Sequence, residues 1–385
     1  MTSNSVLDNL AKIKSVDRNG MCNIQIQFPE SCKDAINRAE KLQIPQHTDI
    51  SKKIRIIYEK PEKILVAGMG GSAIGGDLLR CWLSDVSPIP IDVSREYKLP
   101  DYADEKTLVF VVSYSGNTEE TLSSFVDAIE RRCMIVAITS GGQLLGLCKQ
   151  MEIPLIKLPS GIPPRTALPY LFFPLIVVLK KMKIIDGKSI EMTETINTLK
   201  KVRQQIEPTT PLSRNIAKQI ALKINGTVPV IYGFRHYTGV ATRIKTQFNE
   251  NSKVLAKCEN FPELNHNEVV GWQGSDKFSR IFSVILLRDL DEPLEIRMRI
   301  DLTKKLILTK KVSRIVELYG QGRFKLTRML STIYIGDLAS VYLAILNNVD
   351  PMPVDVVTKM KNELEEHAHV TGDVNRRLGR IMRNL

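Results

Sequence analysis

Two short segments rich in glycine and hydroxyls carry the clearest chemistry in this chain. The first, GMGGSAIGG, spans residues 68–76 between an apolar run and a helical pattern. Its glycines let the backbone turn tightly and come close to an anion. The helix start brings free N–H groups and partial positive charge, with Gly71 and the hydroxyl of Ser72 at its head. The second, SYSGNT at 113–118, repeats the arrangement with three hydroxyls, Ser113, Ser115 and Thr118. Asn117 and Glu120 are spaced as a capping box. A phosphate monoester needs many donors, and two such turns supply them. Neither turn contains the Gly-Lys-Ser/Thr of a nucleoside triphosphate site. A rival reading is a dinucleotide: Gly68, Gly70 and Ala73 fit G-x-G-x-x-A, and Asp92 stands where a ribose-binding acid would. Two plain strand-to-helix turns are the bland reading.

Groups for proton transfer lie elsewhere. Arg165 follows two prolines in Gly161-Ile-Pro-Pro-Arg165, a stiff turn that would hold a guanidinium in place. Glu250, in Asn249-Glu-Asn-Ser-Lys253, sits where a helix ends; it is either an exposed terminal carboxylate or a base facing a cleft. His266 stands between Asn265 and Asn267 in a polar loop, a setting for hydrogen bonding or proton transfer rather than core packing. His47, His236, His367 and His369 show no metal-ligand spacing with cysteines or carboxylates. No metal is expected, and the available chemistry is acid/base work.

Alternating elements must position these groups. Continuous apolar runs at 63–67, 90–93, 107–112, 133–138 and 153–156 read as strands, separated by helices near 72–82, 118–130 and 143–149. Such runs imply a parallel sheet covered on both faces. The rhythm breaks at a helical stretch, 193–205, and at Glu207-Pro-Thr-Thr-Pro211, then resumes. Strands are expected at 228–232, 282–287, 294–300 and 312–318, with a helix over Tyr237 to Phe248. A very apolar helix from Arg328 to Leu346 is expected at an interface, and a closing helix from Val354 to Glu366. The fold class is α/β, two tandem doubly wound parallel-sheet domains with a C-terminal helical segment. The expected boundaries are 1–60 for an N-terminal segment packed on the core, 61–190 for the first domain, 191–210 for a linker, 211–348 for the second domain and 349–385 for the closing helix and basic tail. Gly68 to Gly76 and Gly233 to Gly239 open the two halves alike, as a divergent duplication would.

The chain of 385 residues is long enough for two cores. Its charge of +12 favours anionic partners, either nucleic acid or phosphorylated small molecules. The basic tail from Arg376 to Arg383 reads as a solvated helix face. Six scattered cysteines without a C-x-x-C pair suit reduced thiols in a cytosol. The apolar stretch Leu171 to Leu179 is too short to span a bilayer, and residues 1–10 carry no secretion signal.

Together these segments resemble the archaeal-type bifunctional phosphoglucose/phosphomannose isomerases, in the superfamily of sugar isomerase (SIS) domains. The resemblance runs from about Asp17 to Lys361 and rests on six motifs in order: GMGGSAIGGD, SYSGNTEETL, SGIPPRTALPYL, NENSK, ELNHNEVVGW and IGDLASVYLA followed by VDP. It implies a metal-independent, cofactor-free aldose–ketose isomerase acting on sugar 6-phosphates through an enediolate. By that resemblance Gly71, Ser72, Ser113, Ser115 and Thr118 hold the phosphate, and Glu250 moves the proton between C2 and C1. His266, entering from the second subunit of a homodimer, opens the ring; Arg165 stabilises the enediolate; Lys361 assists at the ring oxygen. Met352 stands after Asp350-Pro351, where family members often have a small hydroxylated residue, and Thr358 is the only threonine in the segment where the family ties one to mannose 6-phosphate, so glucose 6-phosphate is the expected substrate and mannose 6-phosphate a further one. Two other classes compete. A sugar-phosphate-binding regulator would carry a helix-turn-helix ahead of its sugar domain, and the first 61 residues show no clear one. An NAD-linked oxidoreductase would use Gly68 to Ala73.

Overall fold

A computed structural model describes residues 3–368 and 370–382 and divides the chain into two compact units. One joins 31–188 to 354–385; the other joins 1–30 to 189–353.

In the 31–188 unit, a small antiparallel hairpin, β1 (His47–Ser51) and β2 (Ile54–Ile57), precedes five strands. These are β3 (Lys63–Ala67), β4 (Ile91–Ser94), β5 (Thr107–Val112), β6 (Met134–Thr139) and β7 (Leu155–Lys157), all parallel in the order β4-β3-β5-β6-β7. Every residue of β5 and β6 is buried, which is why their sequences run apolar without alternation. Helices Gly71–Leu83 and Leu168–Lys181 pack together. A side chain at Gly75 would stand 2.5 Å from the Leu171 carbonyl oxygen, so only glycine permits this approach. Elsewhere in the unit, the amphipathic helix Val370–Met382 buries Val374 and Leu378 in the core beside Phe125 and Ile129, and Arg377 donates to Glu130 at 2.7 Å. The tail is therefore packed, not merely solvated, over its described part; Arg383 and His369 lie outside the described residues.

In the 189–353 unit, β8 (Val228–Phe234), β9 (Lys257–Phe261), β10 (Phe282–Arg288) and β11 (Arg314–Tyr319) form a second parallel sheet, ordered β11-β10-β8-β9. The expected strand at 294–300 is instead helix Leu294–Thr303. Its apolar residues do alternate, but Ile296 and Ile300 are the buried ones, one helical turn apart, and Pro293 suits a helix start. The expected linker at 191–210 holds helix Ser189–Ile206, which buries Met192, Leu199, Val202 and Ile206 and packs on helix Lys325–Leu346. By length and composition Lys325–Leu346 could cross a membrane, yet 94% of its apolar window is buried inside the protein. It is the core helix of this unit, a place its apolar composition alone did not reveal. The expected segment 1–60 is also divided: Phe28 stacks on Tyr334 at 5.1 Å, and residues 1–30 go with the second sheet.

Candidate active site

The order β4-β3-β5 puts a topological switch point between the carboxyl ends of β3 and β5, where ligands of doubly wound sheets bind. The two hydroxyl-rich turns leave the sheet there. The backbone N–H of Tyr114 donates to Ser72 Oγ at 3.3 Å, tying one turn to the other. As an acceptor in that bond, Ser72 keeps its own O–H as a donor. Ser113 is wholly buried; its hydroxyl donates to Thr118 Oγ1 and accepts from the Gly116 N–H, both at 3.0 Å. Ser115 is exposed and accepts from the Asn117 N–H at 3.3 Å. Gly116 has φ +73°, and a side chain there would strike the Gly141 carbonyl oxygen at 1.8 Å. The expected capping box does not form. Thr118, not Asn117, is the N-cap of helix Glu119–Glu130, no side chain caps it, and Asn117 Oδ1 instead accepts from Gln143 N–H at 2.8 Å. The helix Gly71–Leu83 likewise starts without a side-chain cap. Both turns thus present helix N-termini whose first N–H groups no capping side chain occupies, the arrangement that binds anions.

Arg165 lies on a single 3-10 turn, Pro164–Thr166, and is 3% exposed. A side chain at Gly71 would come within 3.1 Å of the Pro164 carbonyl oxygen, so this turn lies directly against the first glycine turn. Tyr114 completes the link. Its phenol donates to the Pro159 carbonyl at 2.8 Å and accepts from the Ile162 N–H at 3.2 Å. Burial holds the phenol above its usual pKa, so it stays a donor at neutral pH. Sequence reading passed over Tyr114 because an aromatic beside a serine turn looks like packing; its position next to Ser113 was the available signal. Asp92, the ribose-binding candidate, accepts from Tyr102 O–H at 2.7 Å and from the Val93 N–H at 2.8 Å. Lys361 stands exposed on helix Asp355–Ala368.

Glu250 and His266 belong to the other unit. Helix Tyr237–Gln247 continues as one π-helical turn, Phe248–Ser252, which carries Glu250 half-buried. Lys253, at φ +54°, ends the turn, and its ammonium donates to the carbonyls of Glu250, Asp350 and Pro351 at 2.8, 3.1 and 3.2 Å. His266 closes the 3-10 turn Glu263–Asn265 with its ring exposed. Its neighbours are fixed: Asn265 donates to Thr303 Oγ1, and Asn267 to Glu263 Oε1, each at 2.8 Å.

The two parallel sheets and the hydroxyl-lined switch point define a protein of the SIS class. Residues 56–144 match the SIS domain, and residues 213–364 match the bacterial phospho-glucose isomerase C-terminal SIS domain. A solved structure described as a glucose-6-phosphate isomerase like protein from Thermus thermophilus shares the fold, with a TM-score of 0.57 at 19% identity, over 90% of this chain and 96% of that one. The chain is 41% identical over 327 residues to the bifunctional phosphoglucose/phosphomannose isomerase of Caldicellulosiruptor bescii, covering 84% of this chain and 96% of that one. It is 35% identical over 306 residues to the enzyme of the same name from Aquifex aeolicus, covering 79% and 91%. The chain belongs to the bifunctional phosphoglucose/phosphomannose isomerase family.

Proposed function

We propose that this protein interconverts glucose 6-phosphate and fructose 6-phosphate, and accepts mannose 6-phosphate as a further substrate, using protein groups alone. The observation that carries the reading is the pair of hydroxyl-lined turns joined by the Tyr114–Ser72 bond at the switch point. Gly71, Ser72, Ser115 and Thr118 receive the phosphate, with Ser113 acting through its bond to Thr118. That grip is remote from the reacting carbons and supplies orientation. The C2 proton is weakly acidic, so Glu250 must be placed against it as the base that carries it to C1. Arg165, a buried cation on a rigid turn, faces the charge that builds on the enediolate oxygen. His266 assists ring opening, and Lys361 serves the ring oxygen.

An exposed His266 fits a homodimer in which it acts in the partner's site. The same unit exposes Leu294, Met298, Leu302 and Leu306, each 46–69% accessible and four residues apart, an apolar ridge suited to burial. Thr303, on this helix, holds Asn265 beside His266.

The test is a coupled assay of glucose and mannose 6-phosphate formation from fructose 6-phosphate, with and without a chelator. Glu250→Gln should abolish turnover while sugar-phosphate binding persists. Co-refolded Glu250→Gln and His266→Ala chains should regain about a quarter of wild-type activity, because half the dimers are mixed and one of their two sites is intact. No regain, with dimers confirmed by light scattering, removes His266 from the partner's site.

A further inference from the structure

The motif IGDLAS, residues 335–340, lies in the core helix Lys325–Leu346, and its polar residues are wholly buried. What they touch is the turn that carries Glu250 and the helix leading into it. Asp337 takes a two-pronged bond from Arg243, Nε to Oδ1 at 3.2 Å and the terminal nitrogen to Oδ2 at 2.8 Å. Ser340 Oγ accepts from Asn251 Nδ2 at 2.9 Å, and the Ser340 carbonyl accepts from Ser252 Oγ at 2.6 Å. Asn251 Nδ2 also reaches Gln247 Oε1 at 3.1 Å. Gly336 lets the two helices close, since a side chain there would stand 2.6 Å from Ile244 Cγ1.

Arg243, Gln247, Asn251, Ser252, Asp337 and Ser340 are each at most 1% exposed. Burying polar groups is costly even when they are paired, and well-packed apolar side chains of like volume serve stability as well or better. Their use here calls for a reason in geometry. The helix does not stop after Gln247; it widens into a π turn, a feature found mostly at functional sites. The widening points Asn251 and Ser252 inward and leaves Glu250 half-exposed between them and Asn249. A π turn has weaker hydrogen bonding than the α-helix it extends, so something outside the backbone must hold its register. Burial pushes the Asp337 carboxyl up, Arg243 draws it back, and the charge of Glu250 pushes it up again, so the pair and Glu250 interact electrostatically.

We propose that Asp337 and Ser340 are positioning residues that lock the π turn and thereby aim the Glu250 carboxylate. The inference rests on the reading of Glu250 as the proton-transfer base. Ser340 fixes the residue after Glu250; the Asp337–Arg243 pair fixes the helix that leads into its turn.

The experiment uses the full chain with Ser340→Ala and, in parallel, Asn251→Leu, which removes the donor from the other side of the same bond. Proton-transfer geometry is steep in distance, so kcat should fall about tenfold or more in each variant. KM for the sugar phosphate should stay within about twofold, since phosphate contacts are untouched. The kinetic isotope effect with C2-deuterated glucose 6-phosphate should rise as proton transfer becomes limiting. A merely structural role would lower activity in step with the folded fraction and leave that isotope effect alone; this outcome overturns the proposal, as does unchanged kcat in both variants. Glu250→Gln run alongside separates the two failures. If Glu250→Gln is inactive while Ser340→Ala and Asn251→Leu match wild type, only the positioning role is lost. If Glu250→Gln stays fully active, the base assignment goes and the positioning role goes with it.

Discussion

Replacing Tyr114 by Phe isolates the contribution of one phenol oxygen to catalysis. The ring is retained, so packing changes little, and the backbone N–H at position 114 still reaches Ser72. What is lost is the bond to the Pro159 carbonyl at 2.8 Å and that from the Ile162 N–H at 3.2 Å. A neutral hydrogen bond contributes about 1 kcal/mol net, so the two together amount to roughly 1–2 kcal/mol where water can partly replace them. Both partners are half-buried on the segment leading to Arg165, which makes partial replacement the right regime. The bonds tie the 159–166 turn to the serine turn, so their loss lets the guanidinium leave its place. At about 1.4 kcal/mol per decade, kcat should drop about five- to thirtyfold. KM should change by less than about threefold, because the hydroxyls proposed to grip the phosphate are not altered. Thermal unfolding should shift by only a few degrees. Steady-state assay of fructose 6-phosphate isomerisation reads the first two, and calorimetry the third. A variant with kcat within about twofold of wild type refutes the claim that Tyr114 holds the Arg165 turn. A variant in which KM alone rises shows that the phenol serves the phosphate instead.

Two further outcomes follow from packing and charge. Gly75→Ala must push a methyl group against the Leu171 backbone between two buried helices, so stability should fall by about 1–3 kcal/mol by denaturant titration, with no such loss for Gly146→Ala on open surface. Burial pushes the Asp289 carboxyl up, but bonds from His236 at 3.0 Å, the Asp291 N–H and Arg328 at 3.0 Å outweigh it and hold it at about 2. That stabilisation, roughly 2 kcal/mol, is present above about pH 4 and is lost as pH falls toward about 2. Wild type should lose its advantage over Asp289→Asn across that window, and a constant difference between them refutes the assignment.

Much of the architecture was legible in the chain itself. Runs such as Thr107–Val112, apolar without alternation, read as strands buried on both faces, and they are. The glycine and hydroxyl turns announced themselves because a tight strand-to-helix turn depends on backbone geometry and local side chains, both written in contiguous residues. The misreadings share a cause. Leu294 to Ile300 alternates like a strand, and only its neighbours decide that Ile296 and Ile300 face inward on a helix. Asn117 and Glu120 have capping spacing, yet a neighbouring turn claims Asn117 through Gln143. Residues 191–210 read as a linker because a helix buried on one side looks amphipathic and free until its partner is known.

The sequence by itself determined the two parallel sheets, the glycine- and hydroxyl-rich turns and the identity of the chemically able side chains, since period, turn chemistry and residue type are local properties. Tertiary structure alone decided that residues 1–30 join the second sheet, that Tyr114 bolts the arginine turn to the serine turn, and that Asp337 and Ser340 sit behind the turn of Glu250. Those pairings join residues 45 and 89 positions apart in two of the cases, and no local rule of spacing reaches so far. They exist because burying polar groups is tolerable only where partners converge, and convergence is a property of the folded chain.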